Sequence, residues 1–398
     1  MTQPAPKDRD DVVARERQES ATAPKGGKRS IFKKLLALLV GCIVAGLLTE
    51  LLLLLTVGEQ PKFPRHVVEA PWGIRYNEPG SRYRHKSADV NVSFRINNQG
   101  IRADQDYLYP KPAGVVRILS LGDSFTIGYE VDQDRCFSQV LERELSAAGY
   151  QAQVLNAGVS GFSNAEECVY LERELIKYDP DVVVVSFYIN DIADNLRTGL
   201  FTLDDQGKAV EWKKRYVPAG KLGNFLNTNW FFNLLSERSN AFVFFKEKAT
   251  RILKRRMVEM NERNLEQAQS NAPESDSEAK RDPADAAAPD ETYPRDLVAA
   301  IFARMHRLLS EKGIPLVVQS IPAQPGGPDA PLLDLFPAEQ LDFSQPGLRL
   351  LAMKKLLEPY RGKEPLYHRR SHSHWTPFVH ELSGKALARL ILENALLR

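Results

Sequence analysis

The apolar residues of this chain are gathered in one long run and several short ones. In residues 35–57 the only polar side chains are those of Thr49, Glu50 and Thr56. A helix over that length rises roughly 30 Å, which matches the hydrocarbon thickness of a bilayer. The run is longer than the apolar part of a signal peptide and lacks a small-residue cleavage pattern. We therefore interpret residues 31–57 as an uncleaved transmembrane anchor; a buried core helix is the alternative.

The basic residues on the two sides of this run predict its orientation. Five of them crowd the N-terminal side, whereas Lys62 and Arg65 are the nearest beyond it. The five are Lys25, Lys28, Arg29, Lys33 and Lys34. By the positive-inside rule the N-terminus is cytoplasmic, and everything after the anchor is periplasmic or extracellular. Residues 1–30 are polar and lack an apolar period, so we expect a disordered cytoplasmic tail.

Short extended segments are predicted between the anchor and the main domain. Residues 90–97 alternate between apolar and polar side chains as a β-strand does, and Asn98, Gln99 and Gly100 supply turn chemistry. We interpret residues 58–112 as a stalk with a small β-extension.

The main domain, residues 113–398, alternates short apolar runs with amphipathic helical patterns. The apolar runs are Val115–Leu121, 152–155, Val182–Phe187 and 314–321, and the helical patterns are 137–148, 165–178, 296–312 and 382–397. Near-continuous apolar strands between helices are typical of a parallel sheet that is covered on both faces. The predicted fold class is therefore α/β: a three-layer α/β/α sandwich with a parallel sheet, preceded by one N-terminal transmembrane helix.

One segment of the main domain does not follow this alternation. Residues 246–263 have the pattern of a basic helix. Residues 264–292 form a polar stretch that cannot bury enough apolar surface to become ordered. We interpret about residues 246–295 as an insertion between the third and fourth strands, as part of a lid.

Composition and charge narrow the classes of function. The 398 residues carry a net charge of +2, which argues against a dedicated nucleic-acid surface. Cys136 and Cys168 lie on the exported side, where a disulfide could form, but nothing in the sequence brings them together. Neither cysteine has the spacing of a metal ligand, so we predict no metal and no cofactor.

Polar residues follow the predicted strands at the points where ligands bind in open α/β sheets. Ser124 follows the first strand, Gly161 lies in the loop after the second, and Asn190 comes three residues after the third. His374 stands just before the last helix. A serine hydroxyl, an imidazole that takes its proton, and two amides that donate to an oxyanion form a full set for acyl transfer. Taken singly, each motif is also typical of a turn, a helix cap or a structural histidine.

From about residue 115 onwards the chain resembles the GDSL/SGNH hydrolases in all of their sequence blocks. The segments LGDSFTIGYEV, LNAGVSGFS, SFYINDIADN and HSHWTP are similar to these blocks in order. The upstream segment FRINNQGIR is similar to one found in membrane-anchored members. The resemblance implies the flavodoxin-like SGNH fold, with Ser124 as nucleophile, His374 as base, and Gly161 and Asn190 as oxyanion-hole donors.

The chain departs from the family pattern in two blocks. Tyr188 and Ile189 stand where the third block usually has a glycine, which changes the pocket more than the chemistry. The last block usually carries an aspartate two or three residues before the histidine, but His372 occupies the nearer position. No aspartate lies in residues 366–374. The imidazole of His372 or a backbone carbonyl could accept the His374 N–H instead, and a Ser–His dyad would also work, at a lower rate.

Three functions are compatible with these residues. The leading hypothesis is a membrane-anchored, extracytoplasmic serine esterase or deacylase that acts through an acyl-serine intermediate. Its substrate would be an acyl ester, with glycans and lipids as candidate carriers, and no nucleic acid would take part. An O-acyltransferase for surface polysaccharide has the same chemistry, with a sugar in place of water. A non-catalytic binding or assembly protein with a degenerate site is the third, and the missing aspartate favours it.

Overall fold

The computed structural model describes residues 27–218, 225–226, 228–270 and 292–397. Most of the predicted disordered tail (residues 1–26) and the centre of the predicted insertion (271–291) lie outside the described residues. The chain divides into two units, Met1–Gly58 and Glu59–Arg398.

The first unit contains the helix α1 (Gly27–Thr56). Among the described residues, its segment Ile31–Thr56 is the one helix that is long and apolar enough to cross a membrane, and its side chains are exposed nearly throughout. Transmembrane spans and signal sequences share this length and composition. The N-terminal apolar helix that the sequence predicts is confirmed.

The second unit is built from short strands and helices. In its described residues the strands are β1 (Val67–Glu69), β2 (Arg75–Asn77), β3 (Arg82–Lys86), β4 (Asn91–Arg95), β5 (Val115–Leu121), β6 (Gln151–Asn156), β7 (Val182–Phe187), β8 (Phe201–Leu203), β9 (Ala209–Glu211), β10 (Leu316–Ser320) and β11 (Leu348–Ala352). The α-helices are α2 (Ser124–Ile127), α3 (Phe137–Ala147), α4 (Asn164–Arg173), α5 (Asn190–Thr198), α6 (Trp230–Arg238), α7 (Asn240–Ser270), α8 (Tyr293–Ser310), α9 (Met353–Leu357) and α10 (Pro377–Glu393).

Five parallel strands form the central sheet, in the order β11-β10-β7-β5-β6. The strands β7 and β10 are buried along their whole length because helices cover both faces of the sheet. On one face, α4 and α8 contribute Val169 and Phe302 to the core; on the other, α3 and α10 contribute Leu141 and Leu387. The predicted three-layer α/β/α sandwich is confirmed.

Residues 59–112 pack against the loop that follows α2. The antiparallel pair β3–β4 contributes Phe94 to a buried aromatic cluster beside this loop. The guanidinium of Arg102 stacks on Phe94, 3.9 Å from its ring centroid, and donates to the carbonyl oxygens of Ile127 (2.6 Å) and Val131 (2.8 Å). Because these bonds are buried, they hold the loop after α2 in one conformation.

The segment between β9 and α8, called the insertion from here on, contains the helices α6 and α7. It therefore begins before residue 246, the predicted start of the insertion. The buried side-chain amide of Asn261 on α7 donates to the carbonyl oxygens of Leu196 (2.9 Å) and Arg197 (2.8 Å) near the end of α5. Helix α7 extends to Ser270, seven residues beyond the predicted end of the basic helix at residue 263. These bonds fix the insertion helix beside α5, whose first residue is Asn190.

Cys136 and Cys168 are both buried and free, so they form no disulfide. The Sγ atom of Cys136 accepts a hydrogen bond from Arg102 at 3.2 Å, whereas Cys168 lies 3.6 Å from a Glu172 oxygen. Burial raises the pKa of both thiols. Neither cysteine is therefore a ready thiolate, and both act as packing residues.

Candidate active site

Ser124 lies at a sharp turn from β5 into α2. A Cβ atom on Gly122 would lie 2.8 Å from the Cβ atom of Thr126, so only glycine is accommodated before the turn. The side chain of Asp123 caps the helix by accepting the Phe125 N–H at 2.8 Å. Ser124 is therefore the first residue of α2, half-buried, with an N–H that has no intrahelical acceptor.

His374 contacts Ser124 directly. Its Nε2 atom lies 2.7 Å from the Ser124 Oγ atom, and only 7% of the residue is exposed. Burial lowers the pKa of His374 well below its ordinary value, and the neighbouring His372 and His85 imidazoles lower it further. The imidazole is therefore neutral at neutral pH. With its proton on Nδ1, the neutral imidazole can accept a hydrogen bond from the serine hydroxyl at Nε2.

Gly161 lies in the loop after β6, which packs on the turn before α2. The Val159 N–H donates to the Gly122 carbonyl oxygen at 3.0 Å and joins the two loops. Two guanidinium groups hold the Gly161 carbonyl oxygen: Arg75 donates to it through Nη2, and Arg197 donates at 3.3 Å. Gly161 has a φ of 75°, which favours glycine, and its N–H has no partner in the described part of the chain.

Asn190 begins α5 beside two buried carboxylates. Its Nδ2 atom donates to an Asp194 oxygen at 3.3 Å. The Asn190 amide also lies close enough to the Asp123 carboxylate to offset part of the rise that burial causes in the pKa of Asp123. The Asn190 Oδ1 atom has no partner among the residues that the structure describes. Because Asp123 directly precedes Ser124, its proximity to Asn190 places the Asn190 amide beside the turn that carries the serine.

His372 does not hydrogen-bond to His374. Its ring stacks on Phe63 with the centroids 4.8 Å apart, and it lies 6.3 Å from the His374 ring centroid. Burial lowers the pKa of His372 to about 4, and the nearby Arg65 guanidinium lowers it too. His372 is thus a neutral ring at the side of the site. The His374 Nδ1 atom has no hydrogen-bond partner within the described ranges.

A carboxylate that the sequence argument missed lies next to His374. Glu130 is 2% exposed, and its two oxygens accept the backbone N–H groups of His372 (2.8 Å) and His374 (3.1 Å). The oxygen that accepts the His374 N–H lies 3.8 Å from Nδ1 of the same residue. Burial raises the pKa of Glu130 to about 7, although its hydrogen-bond donors lower it. The sequence signal that could have indicated Glu130 is that it is the only charged residue in the mostly apolar segment 125–131, FTIGYEV.

Comparison with known proteins assigns this arrangement to a family. A profile of the GDSL-like Lipase/Acylhydrolase family matches residues 120–337. The chain belongs to this family. The match starts four residues before Ser124 and includes both Gly161 and Asn190.

Individual proteins resemble the chain more weakly than the family profile does. A curated Vibrio mimicus protein named arylesterase is 26% identical over 111 residues, which cover 26% of this chain and 56% of that protein. The chain thus spans about half the length of this curated relative. The solved lipase/acylhydrolase from Enterococcus faecalis is 15% identical, with 71% of this chain and 97% of that chain covered and a TM-score of 0.38. AlinE4, an SGNH-hydrolase family esterase, is 16% identical, with 71% and 98% covered and a TM-score of 0.31.

Buried charges surround the Gly161 loop of this GDSL-like domain. Arg75 pairs with Glu166 at 3.0 Å, and Arg197 pairs with Asp194 at 2.7 Å. Burial raises the pKa of Glu167 and of Asp191, and repulsion from Glu167 raises that of Asp191 further. Both shifts favour the protonated, uncharged form of these two acids, whereas Arg75 and Arg197 are each balanced by a paired carboxylate. Among the described residues no group of three His, Cys, Asp or Glu side chains could hold a metal ion.

Proposed function

We propose that the protein is a membrane-anchored, extracytoplasmic serine esterase or deacylase that cleaves acyl esters through an acyl-serine intermediate. The observation that carries the proposal is the 2.7 Å contact between the Ser124 Oγ atom and the His374 Nε2 atom. Membership of the GDSL-like family supports hydrolysis of esters. The neutral state of His374 supports its role as the base.

The proposed reaction has two halves that use the same groups. The Ser124 oxygen attacks the ester carbonyl carbon while its proton passes to His374 Nε2, and the carbonyl oxygen becomes an oxyanion. The Gly161 N–H and the Asn190 amide donate to that oxyanion. As the tetrahedral intermediate collapses, the alcohol leaves with the proton from His374. Water then attacks the acyl-serine, again through His374, and releases the carboxylic acid and free Ser124.

In this proposal Glu130 takes the place of the aspartate that the last block lacks. Its carboxylate is held by two backbone N–H groups, one of which belongs to His374 itself. An approach of about 1 Å would convert the 3.8 Å separation from Nδ1 into a hydrogen bond, and such bonds tighten when substrate binds. The carboxylate would then fix the tautomer of His374 and stabilise the imidazolium that forms during attack. Glu130 is thus a positioning residue, and His372 is not needed for this task.

Asn190→Ala is expected to lower kcat for an aryl ester by about 10²–10³, with a smaller change in KM. The reason is that an oxyanion donor acts mainly on the transition state. Steady-state kinetics of the full chain measure both constants. Asn164→Ala is the matched control, because Asn164 is the first residue of α4, as Asn190 is of α5, and its side-chain amide bonds Glu167 instead. A change confined to KM would show that Asn190 contacts substrate and is not an oxyanion donor.

The proposed location rests on the N-terminal helix and on the charges beside it. The helix Ile31–Thr56 is long and apolar enough for a span, and Lys33 and Lys34 continue a basic cluster on its N-terminal side. A reporter that is active only after export, fused after Arg398, is expected to be active in a bacterial host. Protection of the fused reporter from protease added to intact spheroplasts would contradict this orientation.

Labelling with a fluorophosphonate probe tests the proposed chemistry directly. Such a probe reacts with a serine that has been activated as a nucleophile, so the full chain should be labelled on Ser124. An O-acyltransferase would also be labelled, but it would transfer the acyl group to a sugar acceptor faster than to water. Product analysis with and without an oligosaccharide acceptor separates the two functions. Absence of labelling would instead indicate the non-catalytic binding protein.

A further inference from the structure

The insertion has more exposed large hydrophobic side chains than the rest of its unit. Of the fifteen large hydrophobic side chains exposed within the described part of residues 59–397, nine lie between residues 225 and 260. These nine, here called the insertion surface, are Phe225, Leu226, Trp230, Phe231, Leu234, Phe245, Ile252, Leu253 and Met260. Trp230 is 74% exposed. Single exposed apolar residues are ordinary on a protein surface, but a cluster of this kind marks an interaction site.

The exposed apolar side chains of α7 lie on the side that faces away from the body of the unit. Phe245 and Ile252 are seven residues apart, which places them on the same side of a helix with 3.6 residues per turn. On the opposite side, Asn261 is buried against α5, and Lys254 pairs with Asp194 at 3.5 Å. The side that faces the protein also carries Val243, which is buried, and Met257 and Val258, which pack against the core. Helix α7 therefore has apolar side chains on both sides, and those on the outward side are left exposed.

The outward side of the insertion also carries basic residues. Six exposed basic side chains accompany the apolar ones along α6 and α7: Arg238, Lys248, Arg251, Arg255, Arg256 and Arg263. They outnumber the three exposed glutamates among the described side chains of these helices, Glu237, Glu259 and Glu262. Aromatic residues together with Lys and Arg are the composition of a helix that lies in a membrane interface, where indole rings sit among head groups. Anionic lipid would attract the basic side chains.

If α1 spans a bilayer, the short connection after α1 keeps the start of α7 close to it. The backbone N–H of Gln60 donates to the Oδ1 atom of Asn240 at 2.9 Å, so the start of the second unit bonds the first residue of α7. Gln60 comes only four residues after Thr56, the last residue of α1. Four extended residues span about 14 Å at most, which limits how far the beginning of α7 can lie from the membrane end of an anchor.

We propose that the insertion surface binds the bilayer in which the N-terminal helix is anchored, with Trp230 and Phe231 among the lipid head groups. This inference rests on the proposed anchoring of the chain. The bound helix α7 would lie between the lipid and α5, whose first residue is Asn190. A second copy of the chain is the competing occupant of an apolar surface of this kind.

Tryptophan quenching by brominated lipids tests the proposal on the full chain. The four tryptophans are Trp72, Trp212, Trp230 and Trp375, and none lies in the first 58 residues. The protein is incorporated into nanodiscs at one copy per disc, with lipids brominated near the head group or left unbrominated. Bromolipid is expected to quench the wild type, and Trp230→Phe is expected to lose most of that quenching. Trp212→Phe is the matched control and should retain it.

Each result of this experiment decides between the alternatives. Quenching that is equally strong in Trp230→Phe and in the wild type would overturn the inference, because Trp230 would then be remote from lipid. Quenching of Trp230 at one copy per disc would exclude a second copy as the occupant. A chain that does not stay with the discs would overturn the anchoring and this inference with it. A chain that stays with them but whose Trp230 is unquenched would overturn the inference alone.

Discussion

Ser124→Ala is expected to lower kcat for a short-chain aryl ester by roughly 10⁴–10⁶. The alanine leaves His374 Nε2 without the hydroxyl group that it contacts at 2.7 Å, so no acyl-serine can form. The fold should persist, because Asp123 and not Ser124 caps α2. Hydrolysis by the purified full chain, measured together with its thermal unfolding temperature, separates lost chemistry from lost structure.

The matched control for this variant is Ser160→Ala. Ser160 is a buried serine in the loop of Gly161, and its replacement should leave both turnover and phosphonate labelling close to wild type. Wild-type hydrolysis in Ser124→Ala would end the assignment of the nucleophile. If Ser124→Ala is labelled as fully as the wild type, the reactive serine lies elsewhere.

Glu130→Gln is expected to lower kcat by about 10²–10⁴, with a smaller change in KM. A neutral amide cannot stabilise the imidazolium that forms on His374 during attack. It also presents an NH₂ group to one of the two backbone N–H donors that Glu130 now satisfies, at His372 and His374. The loss of imidazolium stabilisation acts only after substrate has bound, and because it is the larger effect, the loss falls mainly on kcat.

The pH dependence of kcat distinguishes positioning by a carboxylate from mere packing. Burial raises the pKa of Glu130 to about 7, so the side chain becomes ionised only as the pH rises through about 7. The pKa of His374 is lowered, so the base is already neutral there. Wild-type kcat should therefore rise with pH through about 7. In Glu130→Gln that rise should disappear, and the residual activity should be flat over the same range.

Glu142→Gln is the matched control for the second variant. Glu142 is a partly buried glutamate that accepts the Val154 N–H at 2.7 Å, so its replacement removes a similar bond outside the site. We expect no change in the pH profile of that variant, and partial recovery of kcat in Glu130→Asp. An unaltered pH profile in Glu130→Gln would remove Glu130 from the proposed mechanism.

Much of the fold could be predicted because its signals are local. The runs at Val115–Leu121 and Val182–Phe187 are apolar at nearly every position, and strands buried on both faces require that pattern. The strand Leu348–Ala352 escaped prediction because it is short, mostly half-buried and continues directly into α9. The helix α7 extends past its predicted end to Ser270. It is held by tertiary contacts, the Asn261 bonds to α5 and the packing of Met257 and Val258 on the core, which a local pattern does not show.

The sequence by itself determined the α/β class, the apolar N-terminal helix, the family and the order of the motifs that carry Ser124, Gly161, Asn190 and His374. Each of these features depends on residues that are close together in the chain, so hydrophobic periodicity and turn residues are enough to predict it. Only the tertiary structure shows which carboxylate lies next to His374, the proposed base. Glu130 and His374 are 244 residues apart, and the loop of Glu130 is held by the buried guanidinium of Arg102. The contact between Glu130 and His374 depends on how three distant segments pack, which no local sequence pattern encodes. The residues next to His374 include His372 but no aspartate.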